Sequence, residues 1–406
     1  MSCLKGALLS LFKFSMILNL LMVECVSPLS LKLGIKNFKS IDSLELELSD
    51  LTILLGPPAS GKSNILDALA FIGYFRRFTV LTQEYGGNAS NLEPLTLLAR
   101  FKEPSHLFKH YDLTKTIEVK VLEPLNLDCS ISYQSGSLRV LVNSIAIPWD
   151  LRTLRSGPIP EVQGTVEKAN VVFESRLYGF DRYGLIGDSC TQPHPCGFHV
   201  RLSNPPQQAR NMPVSILSEL GWNAPFVLRG HHNILNDINR ELREYLDERI
   251  ELKMLRSGAI AIFDYDIELD MVSVSETVFR TLYTLLAIRS SLNYVKLHGL
   301  EKKFIIVLEE PEAHVFPFFL KLIVEYIEKA IEHVYVVLST HNPLFVSLLW
   351  DRIREVETHY VYRDAEGFTR ATKLDMEKMA KDIVTSEELL LMPPSDVVRK
   401  YAVGTG

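Results

Sequence analysis

Cysteine is scarce in this chain, five in 406 residues, which is too few for a disulfide framework and fits a reducing compartment. There is no block of consecutive lysines or arginines and the formal net charge is −6, so no basic run advertises nucleic acid. A basic groove assembled by folding or dimerisation would leave no such run. No internal repeat is found. An uninterrupted apolar run of spanning length is missing too, because Lys13 breaks the stretch from Gly6 to Val23 into pieces shorter than the roughly 20 residues a spanning helix needs. Met1 to Val26 can be read as a signal peptide, a membrane anchor or a translated region ahead of a start at Met16 or Met22. An accessory or upstream segment is the expectation, and membrane association is not. What remains is globular: 47% hydrophobic and 23% charged residues, enough chain for two or three domains or one large α/β domain with insertions.

The most informative stretch is Leu51-Thr52-Ile53-Leu54-Leu55-Gly56-Pro57-Pro58-Ala59-Ser60-Gly61-Lys62-Ser63-Asn64. An apolar run of strand length breaks into a turn and then into a helical pattern opening with Lys-Ser, which satisfies G-x-x-x-x-G-K-[ST] in the context that a phosphate-binding loop requires. Gly56 and Gly61 permit backbone conformations and close approaches that a side chain would block, so successive N–H groups can turn inward on phosphate oxygens. The anion sits at a helix N-terminus. Lys62 supplies a point charge for the β- and γ-phosphates, and the Ser63 hydroxyl can ligate the Mg²⁺ that bridges them. ATP and Mg²⁺ are therefore the expected cofactors.

The pattern before the loop is strand-like: Leu29 to Leu33 and Leu44 to Leu48 alternate with period two, and Ile35 to Ile41 places apolar residues every third position. Helix follows from about Lys62 to Phe75, with a weaker helical patch from Leu92 to Phe108. Strands over Thr116–Leu122, Leu127–Tyr133 and Leu138–Val142 suggest an antiparallel subdomain. Pro148 to Pro225 reads as an insertion with little regular structure. It contains Cys190, His194, Cys196 and His199, spaced unlike the usual zinc fingers, so an ordinary loop is preferred to zinc or a disulfide. Asn233 to Arg256 reads as a charged amphipathic helix whose apolar stripe includes Ile250 and Leu255, a packing face rather than a partner-binding one. A strand from Ala259 to Ile267, a helix from Glu276 to Ser290, and a βαβα run of strand Lys303–Leu308, helix Phe318–His333, strand Val334–Ser339 and helix Pro343–Leu349 restore a mostly parallel sheet. A hairpin, Tyr360–Arg363 and Thr369–Lys373, and one short helix close the chain.

The fold class expected is thus α/β, a P-loop NTPase with a mostly parallel sheet flanked by helices, plus an antiparallel β subdomain and an inserted helical and loop region. The divisions are 1–28, an apolar segment; 29–147, the first half of the ATPase domain; 148–257, insertion and helical arm; 258–350, the second half; and 351–406, hairpin and helix.

Two further strand ends carry chemistry. Phe304-Ile305-Ile306-Val307-Leu308 runs into Glu309-Glu310, where carboxylates emerge at the C-terminal edge of a parallel sheet. Glu309 would hold Mg²⁺ directly or through water, and Glu310 would orient and deprotonate the attacking water. Val334 to Leu338 runs into Ser339-Thr340-His341-Asn342-Pro343, and His341 could bond the γ-phosphate or the water.

Taken together, the Gly56 to Asn64 loop with Asp67-Ala68-Leu69, then Glu309-Glu310-Pro311-Glu312-Ala313-His314, then Ser339 to Pro343, resemble the ABC-type ATPases of the SMC and OLD (overcoming lysogenization defect) kind, often catalogued as AAA-family ATPases. The opening Ile35-Lys36-Asn37-Phe38-Lys39-Ser40-Ile41 resembles that branch too. The resemblance covers about Leu29 to Tyr362, with the insertion unmatched. It implies that Glu309 is the Mg²⁺ carboxylate, Glu310 the general base, Glu312 to Pro317 the D-loop region and His341 the switch histidine. It also implies a signature serine that completes the site across a homodimer formed with ATP. Val272-Ser273-Val274-Ser275-Glu276 stands where the family has Leu-Ser-Gly-Gly-Glu, with both glycines missing, so Ser273 is the candidate and slow hydrolysis the expectation. Gln83 is a candidate for the Q-loop glutamine.

The function so implied is an ATP-hydrolysing, dimeric switch or clamp acting on a nucleic-acid or protein partner, in the cytoplasm. The alternative is an ATP-sensing interaction module with little turnover. A GTPase or kinase is disfavoured by the lack of an Asn-Lys-x-Asp motif, and the roughly 65 residues after His341 are fewer than an ordinary nuclease domain needs.

Overall fold

The computed structural model describes residues 31–79, 95–101, 103–122, 126–134, 137–147, 174–179, 202, 207–245, 249–270 and 273–403. The segment 1–28, Gln83 and the cluster Cys190, His194, Cys196 and His199 lie outside them.

The chain opens with two long antiparallel strands, β1 (Leu31–Phe38) and β2 (Ile41–Leu48), so the third-position pattern at Ile35 to Ile41 is a continuation of β1 through a turn at Lys39 and Ser40. β4 (Ile117–Val121), β5 (Leu127–Gln134), β6 (Ser137–Val142) and β7 (Ile145–Ile147) extend this sheet in the order β2-β1-β4-β5-β6-β7, every pair antiparallel. Within the expected helix from Leu92 to Phe108, the described residues form one turn at Leu95–Leu98 and a 3₁₀ turn at Pro104–Leu107, and a further 3₁₀ turn follows at Lys109–Tyr111. Pro104 and the left-handed Arg100 break its continuity.

A second sheet is built from Leu51–Leu55 (β3), Glu174–Tyr178 (β8), Phe304–Glu309 (β12), Tyr335–Thr340 (β13), Val356–Arg363 (β14) and Thr369–Lys373 (β15), in the order β15-β14-β3-β13-β12-β8. All pairs are parallel except β14 with β15. Its two faces feed two cores with period two: Leu54, Ile305, Val307 and Val337 pack toward the antiparallel sheet, while Leu51, Ile53, Phe304, Ile306, Leu308, Val336 and Leu338 pack on the opposite side. Each such side chain, fully buried, contributes on the order of 1.5–3 kcal/mol.

Helix α1 (Lys62–Tyr74) lies in the first core. Beyond it in sequence come α2 (Ala224–Gly230), α3 (His232–Tyr245), α4 (Glu276–His298), α5 (Pro317–Ile331) and α6 (Pro343–Arg352). Most of their buried residues join the second core.

Three expectations are corrected here. The insertion from Pro148 to Pro225 contains β8, a strand of the main sheet. The helix read from Asn233 to Arg256 ends at Tyr245, and Ile250–Met254 is instead β9, paired with β10 (Ile260–Asp264), which pairs in turn with β11 (Ile267–Glu268). Ile250-Glu251-Leu252-Lys253-Met254 has period-two alternation as well as a place on the helical stripe, and the turn at Gly258 (φ 87°), where Leu255 N–H donates to the Ala259 carbonyl, decides for the strand. Asn239 of α3 then clamps β9, its amide bonding both N–H and carbonyl of Leu252. Finally, three short helices, Met376–Lys381, Ser386–Leu391 and Pro394–Tyr401, follow the hairpin rather than one. Among the described residues no helix is long and apolar enough to cross a membrane.

Candidate functional site

Register assembles the site. Leu55 pairs with Thr340 and with Tyr360, and Glu309 pairs with Ser339, so the C-terminal ends of β3, β12, β13 and β14 finish side by side. Whatever leaves those strand ends shares one edge of the sheet, where ligands of parallel sheets bind.

The loop leaving β3 needs both glycines for reasons of space as well as conformation. A Cβ at Gly56 would lie 2.1 Å from the carbonyl oxygen of Val361 in β14. At Gly61, whose φ is 104°, it would lie 1.9 Å from Oγ1 of Thr369 in β15. The C-terminal hairpin therefore leans directly on the loop. Arg363 adds a hydrogen bond from Nε to the carbonyl of the left-handed Ala59, 3.1 Å, and Thr369 Oγ1 reaches the Ser60 carbonyl at 3.2 Å.

Lys62 is 5% exposed and donates to the carbonyls of Gly56 and Pro57 at 2.7 and 2.9 Å. Burial holds its ammonium below the ordinary lysine range, opposed by the attraction of Glu310, Glu312 and Glu309. No side chain caps the helix at Gly61; the N–H groups of Asn64 and Ile65 return to the Gly61 carbonyl at 3.0 and 3.3 Å, and those of Lys62 and Ser63 are the ones left to an anion. Asn64 points away from the loop, donating to Ser40 Oγ at 2.5 Å.

Glu309 closes β12, and its Oε1 lies 3.5 Å from Nη1 of Arg100. The same guanidinium donates to Asp67 of α1 at 3.0 Å, where Lys39 also donates at 2.5 Å. Glu310 takes a left-handed conformation (φ 44°), donates its N–H to the Ser339 carbonyl at 3.0 Å and places Oε1 3.0 Å from His341 Nδ1. A non-glycine residue in this region carries backbone strain, which the surrounding contacts hold in place. Glu312, two residues on, is buried and bonded to Thr340 Oγ1. Burial pushes its carboxyl up to about 7, with Glu310 adding to the rise and the Thr340 bond, its own backbone N–H and Lys62 opposing it.

These residues suit a phosphate-bound Mg²⁺. Among the described residues no cluster of three or more His, Cys, Asp or Glu makes a cage for a metal, whereas Ser63 and Glu309 offer the hard oxygens of a Mg²⁺ that draws its other ligands from phosphate and water. Ser60 Oγ in the loop and Ser339 Oγ at the end of β13 are buried without a hydrogen-bond partner, two hydroxyls that a bound oxyanion and its water would serve. Beside the loop opens a cavity of about 640 Å³ lined by Lys39, Ser40, Asn64, Arg100, His110 and Arg363 among others. Its volume suits a small-molecule ligand.

Residues 31–131 match the family model of the AAA ATPase domain. The crystal structure of an SMC head bound to the C-winged helix domain of ScpA is similar at 14% identity and a TM-score of 0.52, over 87% of this chain and 100% of that one. This is the fold of an SMC head. Also similar are the SMC head domain from Thermotoga maritima, at 12% identity and TM-score 0.43 over 85% of this chain and 99% of that one, and the recombination mediator RecF with ATP, at 12% and 0.45 over 85% and 100%. No curated protein matches the chain.

On this SMC-head fold the structure brings Gly56 to Asn64, Glu309, Glu310 and His341 to one sheet edge. Ser273 is not hydrogen-bonded to any of them: its hydroxyl and its N–H both bond to Asp270 at 2.8 Å, in the bend that leads into α4. Sequence reasoning does not single out Arg100, Arg363, Thr369 or the Glu312–Thr340 pair as site residues. Arg363 and Thr369 lie 304 and 309 residues beyond the loop carbonyls they bond, and they arrive through the pairing of β14 with β3. Only the Glu312 and Thr340 positions have a signal, lying inside motifs whose chemistry points first to their neighbours.

Proposed function

We propose that this chain binds ATP·Mg²⁺ and hydrolyses it slowly, as an ATP-dependent homodimeric switch on a nucleic-acid or protein partner in a reducing, cytoplasmic compartment. The observation that carries the reading is the meeting of the phosphate-binding loop with the Glu310–His341 pair at one sheet edge. Lys62 is already inside the loop on carbonyl oxygens that phosphate oxygens can replace. The left-handed turn at Glu310 aims a carboxylate at the space ahead of His341, where it can take a proton from water while the imidazole holds the acceptor in place. Mg²⁺, when bound by Ser63 and Glu309, would neutralise charge on the β- and γ-phosphates.

A second reading, ATP sensing with little turnover, is favoured by Ser273, whose hydroxyl is engaged within its own bend. Single-turnover hydrolysis of radiolabelled ATP by wild type and Ser273→Ala separates the two. In the first reading the substitution lowers the single-turnover rate constant about tenfold or more; equal rates would favour the second.

A further inference from the structure

The turn after β12 holds a carboxyl for which phosphate binding and water activation have no use. Glu312 is 2% exposed, its Oε1 bonded to Thr340 Oγ1 and its Oε2 without a partner. The same Thr340 hydroxyl oxygen accepts the N–H of Asn342 at 3.0 Å, and Asn342 Oδ1 accepts from Phe345 N–H at 3.2 Å to cap α6. His341 is therefore flanked by two residues fixed through side-chain bonds. On the other side, Ala313 N–H donates to the Glu310 carbonyl and Val315 N–H to the Glu312 carbonyl, both at 3.0 Å, so Glu310 and Glu312 belong to one tight turn. The side-chain bond between Glu312 and Thr340 spans the turn that carries Glu310 and the turn that carries His341.

We propose that Glu312 is a positioning residue: by clasping Thr340 it ties the two turns together and fixes the contact between Glu310 and His341. The clasp needs a hydrogen bond and no charge, because a buried carboxylate with one unpartnered oxygen is costly, whereas a neutral carboxyl loses little. Burial acts on Glu312 in that direction. An amide of the same shape can make the same bond to the threonine hydroxyl. The consequence for turnover rests on the ATPase reading; the clasp itself does not.

The test is made on the nucleotide-free full chain labelled with ¹⁵N-histidine, with the His341 ring signal assigned by its loss in His341→Gln. Glu312→Ala and Thr340→Val are expected to shift that signal, because the carboxylate of Glu310 no longer faces the ring at hydrogen-bond distance. Glu312→Gln is expected to keep the wild-type signal. In ATP turnover, Glu312→Ala and Thr340→Val are expected to lower kcat about tenfold or more with ATP affinity unchanged, and the double variant to be no slower than Thr340→Val alone, since the bond between Glu312 and Thr340 is already lost there together with the Asn342 N–H bond to the same hydroxyl. A His341 signal unmoved by Thr340→Val, or moved as far by Glu312→Gln as by Glu312→Ala, overturns the proposal. Should wild type fail to turn ATP over, the ATPase reading falls while the histidine spectra still decide the clasp. Should Glu312→Ala fail to fold, Thr340→Val and Glu312→Gln decide it alone.

Discussion

Glu312 and Gly61 show how single positions in this site carry consequences that can be measured apart from catalysis. The Glu312 carboxyl rises from 4.5 to about 7 on folding, so between those values the folded chain keeps a proton that the unfolded chain releases. Its contribution to stability is complete below about pH 4.5 and is lost as pH rises through about 7, a swing on the order of 3 kcal/mol. Glu312→Gln removes this dependence. The urea midpoint of wild type should fall, relative to that of the variant, between pH 5 and pH 8; parallel profiles would mean that the buried carboxyl does not hold its proton. At Gly61 the demand is steric. With φ at 104° and Thr369 Oγ1 only 1.9 Å from where a methyl group would stand, Gly61→Ala forces the loop and the hairpin apart. ATP affinity by equilibrium titration should drop about tenfold or more, and wild-type affinity would show that the hairpin yields easily.

At the scale of elements, the central strands are legible because they are apolar throughout, and the sheet edge is not. Val307, Leu338 and their neighbours announce buried parallel strands, and the register then places Glu309 and His341 at the shared edge. β8 is as buried as they are, yet it reads Glu174-Ser175-Arg176-Leu177-Tyr178. Its polar residues find partners inside the protein: Arg176 Nε donates to Glu174 at 2.8 Å, Tyr294 OH donates to the same carboxylate at 3.1 Å, and Ser175 Oγ donates to the Leu69 carbonyl at 2.5 Å. Glu174 and Arg176 pair within the strand, but Tyr294 and Leu69 lie 120 and 106 residues from the side chains they bond and leave no local signal, so a hydropathy pattern assigns this strand to the insertion. The hairpin β14–β15 is legible as a hairpin, but nothing local to it says that it pairs with β3 and buttresses the loop. Close packing of α1 on β8 supplies a further prediction. A Cβ at Gly73 would stand 2.0 Å from Ser175 Oγ and 2.5 Å from Ser175 N, so Gly73→Ala should cost about 1–3 kcal/mol by urea unfolding. A loss below about 0.5 kcal/mol would show that helix and strand separate without strain.

At the scale of the whole molecule, the two cores meet across one sheet whose edge gathers the loop, the acidic strand end and the histidine turn. The turn after β12 also reaches the start of α4, where Thr277 Oγ1 donates to the His314 carbonyl at 2.8 Å, four residues beyond Ser273. In the proposed clamp, a change at Glu310 on nucleotide binding would thus have a mechanical route to the start of α4 beside Ser273. The central claim is that ATP closes this molecule into a dimer and that Glu310 opens it again by hydrolysis. It is tested most directly by measuring ATP turnover and mass in solution together, with and without ATP·Mg²⁺, for wild type and Glu310→Gln. The account predicts turnover by wild type, and for Glu310→Gln a loss of about a hundredfold or more with accumulation of an ATP-bound dimer. Turnover by Glu310→Gln equal to that of wild type, or a monomer in every condition, would contradict it.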